Sequence, residues 1–217
     1  RSTHVVFCVE KCRLVLNVNL AGMSGIGLSD VVYNPTLTSS FLERVPFDMV
    51  MVSQHNTLSG EDIYYSDFGA WSSGDIDRLL EEYFTYLIKA AQLNQFDVIG
   101  HLTYPLRYIT GKHKIRVDLR RYDDKIEEIL RLTAQNGRAI EINTSGLYGA
   151  LRDTMPPLCY VKRYRELGGE YITLGSDAHS ADALGRGIDS GLEMLLEAGF
   201  SYFTFYKERH PLQFKII

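Results

Sequence analysis

The sequence predicts an α/β domain built on parallel strands. Three observations carry this. Short apolar runs alternate with stretches of helical periodicity. The runs are nearly continuous in Val, Ile, Leu and Met rather than alternating, as in strands covered on both faces. Each of the first four leads into small and polar residues, three times with a histidine among them. A barrel and a doubly wound sheet both fit, and in either one ligands gather where strands end and loops begin. With 217 residues and a hydrophobic fraction of 45%, the chain is sized for one domain with a sizeable core. It shows no repeat, linker or low-complexity tract.

Residues 48–53 read as the first buried strand, 96–101 as the second, 139–143 as the third, 171–175 as the fourth and 201–206 as the fifth. Asn34 followed by Pro35 marks a helix start. Leu79, Leu80, Tyr83, Phe84, Leu87, Ile88 and Ala91 repeat at helical spacing after Ser73-Gly74-Asp75. Ile126, Ile129, Leu130 and Thr133 form another stripe, closed by Gly137. Pro156 and Pro157 open a helix that ends near Gly168 and Gly169. The stretch 182–198 reads as a helix stopped by Gly199.

A net charge of -4 argues against a general nucleic-acid or acidic-membrane binder. Cys8, Cys12 and Cys159 are odd in number and widely spread, so they are expected to be reduced thiols in a cytoplasmic protein. No apolar run reaches the roughly 20 residues that cross a bilayer. Residues 5–20 are apolar but broken by Glu10, Lys11 and Arg13, unlike a signal peptide.

The chemistry sits at the strand ends. The first strand runs into Ser53-Gln54-His55, the second into Gly100-His101, and the fourth into Gly175-Ser176-Asp177-Ala178-His179. All are C-terminal strand ends and therefore on one face. A lone strand-end histidine is most often a hydrogen-bonded one. Asp177 and His179, two apart after a buried strand, are more telling, and the joint pattern more so. Imidazole and carboxylate together hold Zn, Mn or Fe. Such ions lower the pKa of bound water and neutralise phosphate charge. Arg107 follows His101 in one loop and Arg186 follows His179 in another. Each is a candidate bidentate anion clamp, with a surface ion pair as the commoner fate of an arginine. Lys207 and Arg209 are weaker candidates. His4, His113 and His210 lack this context and are expected at the surface.

These segments resemble a known family. Residues 100–108, 141–146 and 175–179, with 53–56, 60–65 and the ending 203–211, are similar to the histidinol-phosphate phosphatases of the PHP superfamily. The resemblance begins near Gly25. It implies a (β/α)7 TIM-like barrel of the PHP type spanning 1–217, with 1–24 atypical. It implies a metal-dependent phosphomonoesterase that hydrolyses L-histidinol phosphate to L-histidinol and phosphate in histidine biosynthesis. Residue by residue, His55, His101, Asp177 and His179 become metal ligands, and Asp177 and His179 also catalytic. Arg107 and Arg186 become phosphate-binding. Divalent ions are implied, up to three in the family and fewer here. The partner expected is a small phosphate ester, with neither nucleic acid nor membrane.

The chain departs from that pattern at its front. It contains no His-x-His, with which the family opens, and residues 1–24 do not resemble it. Where the family carries a metal-bridging Glu, Gly25-Ile26-Gly27-Leu28 places Gly27. The expectation is a front that is truncated or altered, and slow turnover. A PHP phosphoesterase with another substrate, its ring stacked near Tyr64, Tyr65 and Tyr104, and a catalytically impaired binding module with a partial metal site are the alternatives.

Overall fold

The computed structural model describes residues 24–217 apart from Asp30 and Leu58. The atypical front, with His4, Cys8 and Cys12, lies outside the described residues. Five strands form one parallel sheet: β1 (Gly25–Leu28), β2 (Met49–Val52), β3 (Val98–Ile99), β4 (Ala139–Asn143) and β5 (Ile172–Gly175). Their spatial order is their chain order, so every crossover steps one strand in the same direction. The connecting helices are α1 (Pro35–Arg44), α2 (Ser73–Leu93), α3 (Asp123–Gln135), the short α4 (Ser145–Tyr148), α5 (Leu158–Glu166) and α6 (Ile188–Glu197). A hairpin of β6 (Tyr202–Lys207) and β7 (His210–Lys215) ends the chain.

The two sheet faces differ in what they bury. Ile26, Leu28, Val50, Val52, Ile99, Ile140, Ile142 and Ile172 join the main core with the helices. The opposite face carries Met49, Met51, Val98 and Ala139, which pack on Tyr171 and on Tyr206 of the hairpin. Glu141 and Asn143 follow Ala139 on that second face at strand periodicity. Both faces are therefore covered, which is why the strands read as unbroken apolar runs.

The helices start and stop where local chemistry dictates. Ser72 and Asp75 form a reciprocal capping box at the start of α2, and Asn94 ends it in the left-handed region at φ 54°. Gly137, at φ 63°, follows α3. Pro157 is the N-cap of α5. The stretch 182–198 is not one helix. Gly185 and Gly187 have φ of 75° and 83°, which α-helical backbone excludes, so α6 begins only at Ile188.

The fifth apolar run is not a parallel barrel strand. It pairs antiparallel with β7 through a two-residue turn, Glu208 and Arg209, at φ 49° and 66°. Thr204 and Tyr206 are its buried side chains, so it presents one inner face rather than two. Among the described residues the parallel sheet thus has five strands, where the resemblance implied seven units. The hairpin crosses beneath the N-terminal strand ends. Thr204 Oγ1 accepts from Ile172 N at 3.2 Å, and Tyr206 donates to the Asp97 carbonyl at 3.3 Å. The Arg209 and Glu208 amides donate to Asp48 O and Oδ1 at 2.9 and 3.0 Å. Asp97, whose side chain is 0% exposed, accepts from Val50 N, Arg138 and Arg209. This end of the sheet is sealed, and the C-terminal ends are left to build a site.

Candidate metal and phosphate site

His55 and His101 leave neighbouring strands and meet. Their Nε2 atoms are 3.0 Å apart. His101 is 7% exposed and sits at φ 24°, an uncommon backbone conformation for a residue with a Cβ. The Tyr104 ring lies against both imidazoles, with centroids 4.8 and 4.7 Å away. Burial first, and the facing His55 ring second, hold the His101 pKa well below its ordinary value. His101 is therefore poised as a neutral nitrogen donor.

Asp177 leaves β5 at φ 47° and organises the second half of the site. Its Oδ2 takes the Arg107 guanidinium at 2.7 Å and lies 3.4 Å from Ser145 Oγ. Its Oδ1 faces His179 Nε2 at 3.3 Å. Burial opposes the Arg107 charge, but the Asp177 hydrogen bond and charge outweigh it and raise its pKa. Arg107 starts a wide helical turn, Arg107–Lys112, in which His113 N bonds back to Tyr108 O at 2.9 Å. His179 is 77% exposed. Arg186 stacks its guanidinium 4.3 Å above the Tyr148 ring. Its carbonyl accepts from Thr144 Oγ1 at 2.7 Å, which ties the loop to the end of β4.

The site residues expected from the sequence thus fall into two groups, His55 with His101 and Asp177 with His179 and Arg107, while Arg186 stacks on Tyr148. They do not close on a single point. Among the described residues no three His, Cys, Asp or Glu side chains form a metal-holding group. The histidine pair by itself fits a cation. Two zinc–nitrogen bonds at a tetrahedral angle put their nitrogens about 3.4 Å apart, close to the spacing found. His113 is not a surface residue as expected. Its side chain is largely enclosed, with Nδ1 accepting from Gly69 N at 3.1 Å. His210 is exposed, as is the free Cys159.

One buried group was not among the candidates. Glu141 sends Oε2 to the His101 amide at 2.8 Å and takes Asn143 Nδ2 at 3.3 Å. A carboxylate inside an otherwise apolar strand run was the signal available in the sequence.

Comparison with known proteins places this architecture. The PHP domain family matches residues 16–145. The chain belongs to the PHP domain family. A probable histidinol-phosphatase of Thermotoga maritima is 35% identical over 58% of this chain and 51% of its own length. Another from Clostridium acetobutylicum is 31% identical over 71% of this chain and 59% of its own length. The chain thus spans between about half and three fifths of the length of these two relatives. Among solved structures, the histidinol phosphate phosphatase of Lactococcus lactis, crystallised with zinc, L-histidinol and phosphate, superposes with a TM-score of 0.66. At 20% identity, over 85% of this chain and 70% of that one, the likeness is one of fold. No helix among the described residues is long and apolar enough to cross a membrane.

Proposed function

We propose that this PHP chain is a metal-dependent phosphomonoesterase acting on L-histidinol phosphate. The observation that carries the reading is the His55–His101 nitrogen pair standing at the same sheet end as the Asp177–Arg107 ion pair. One element is suited to a divalent cation and the other to an anion. The names of the matched relatives, and the zinc, histidinol and phosphate bound in the Lactococcus protein, supply the substrate class.

His55 and His101 hold the cation, Zn, Mn or Fe. When bound, such an ion polarises a phosphoryl oxygen and acidifies water. Arg107 and Arg186 hold the phosphoryl oxygens, Arg107 with its fork already aligned by Asp177. Asp177 Oδ1 orients the His179 imidazole through Nε2, and the departing alkoxide would take its proton from solvent water. Asp177 and His179 turn toward a cation as further ligands when one is present.

The test is phosphate release from L-histidinol phosphate by the purified chain supplied with Zn²⁺ or Mn²⁺. Metal-stimulated release, lost in His55→Ala and Asp177→Asn, is expected. Faster release from a sugar or nucleotide phosphate transfers the reading to another PHP phosphoesterase. Zinc uptake without release of phosphate from any ester supports the impaired binding module, which the lack of a three-ligand group among the described residues favours.

A further inference from the structure

We propose that Glu141 is a positioning residue of this site. Its buried carboxylate holds the main chain of His101, and so keeps the His55–His101 nitrogens at cation spacing. The inference rests on the metal reading of that pair.

A carboxylate only 5% exposed is costly to bury and persists where it is bonded. Glu141 uses Oε2 on the amide of His101, 40 residues away in sequence, at 2.8 Å. That amide belongs to a residue at φ 24°, a conformation that surrounding contacts must impose. The neighbouring backbone makes room for the carboxylate. A Cβ on Gly175, two residues before Asp177, would collide with Glu141 Oε1. The loop that carries Asp177 and His179 therefore leaves β5 past the Glu141 carboxylate, through a glycine. Asn143 completes the support. Its Nδ2 donates to Glu141 and its Oδ1 accepts from Ser145 Oγ at 2.6 Å, beside Asp177. Groups that hold a metal-binding histidine matter because they fix its direction before the cation arrives.

A side chain that merely staples the sheet predicts something different, and three variants separate the two. Glu141→Gln keeps an acceptor for the His101 amide. Glu141→Leu removes it at similar size. Ile142→Val weakens the same strand on its other face. Zinc affinity of the purified chain is measured by calorimetry with Zn²⁺ alone, the thermal midpoint is followed alongside, and His101 amide exchange is followed without metal. Glu141→Gln is expected within threefold of the parent in zinc affinity, with His101 protected. Glu141→Leu is expected to lose about 10–100-fold in affinity and to expose the amide. Ile142→Val is expected to lose stability alone. If Glu141→Leu does not fold, Gly175→Ala displaces the carboxylate by collision and carries the same expectation.

Near-parental affinity in a folded Glu141→Leu, or an equal loss in Ile142→Val, overturns the proposal. If the parent takes up no zinc, the metal reading fails. The amide exchange then decides the positioning role separately: protection lost only in the leucine variant upholds it, and equal protection in all overturns it.

Discussion

His101 is buried, strained in its backbone and set against His55 at once. Its pKa, lowered by burial and then by His55, gives the sign of a pH effect. In the unfolded chain a histidine titrates near about 6.5. Below that pH the unfolded state takes up a proton that the folded state refuses, so stability falls as pH falls. Above it the penalty is absent. The metal-free parent is expected to lose more thermal midpoint between pH 7 and pH 5 than His101→Asn, and equal slopes contradict this. Gly175→Ala is expected to cost about 1–3 kcal/mol by overpacking against Glu141. Denaturation in urea measures it, and with Glu141→Ala already in place the added cost should shrink. That His55, His101, Asp177 and His179 follow strand ends was legible in the sequence, because polar residues after apolar runs mark such ends. Glu141 showed only as a carboxylate in an apolar run, because nothing in a linear run says which face of a strand looks into the site. Nor was it legible that Asp177 is engaged by Arg107, a residue 70 positions away.

At the scale of elements, the parallel strands and long helices announced themselves through periodicity and caps, and the departures have local causes. The turn that converts the last apolar run into a hairpin uses Glu208 and Arg209 at positive φ, where Asn-Gly is the usual signature. The two glycines that delay α6 look in sequence like tolerable interruptions. The hairpin is held by charge on a buried partner. Arg209→Ala removes one of two guanidinium groups from Asp97, leaving Arg138. A loss of about 1.5–3 kcal/mol is expected from urea denaturation. Loss of the α2 cap is milder. Ser72→Ala removes an exposed reciprocal pair and is expected to cost about 1 kcal/mol. Neither change touches the strand ends that carry His55 and His101, so zinc affinity should stay within threefold in both.

For the whole molecule, the sheet's second face links the sealed end to the site. Register places Gly27, Met51, Val98 and Ala139 in one row on that face, with Glu141 two residues above Ala139. A Cβ on Gly27 would meet nothing within 4 Å, so the row is open where the family resemblance implies a metal-bridging Glu. Gly27→Glu puts a second carboxylate on the face that already carries Glu141. Without metal, a charge on this half-buried strand, where glycine is replaced beside apolar Met51, costs stability. With metal, the same carboxylate is a hard oxygen donor toward the cation proposed for His55 and His101. Binding to the folded state alone raises the midpoint as affinity rises. The variant is therefore expected to melt below the parent in chelator and to gain more than the parent from Zn²⁺ or Mn²⁺. Phosphate release from L-histidinol phosphate should rise with it. A midpoint that moves equally in both proteins on adding metal means that position 27 does not reach the site.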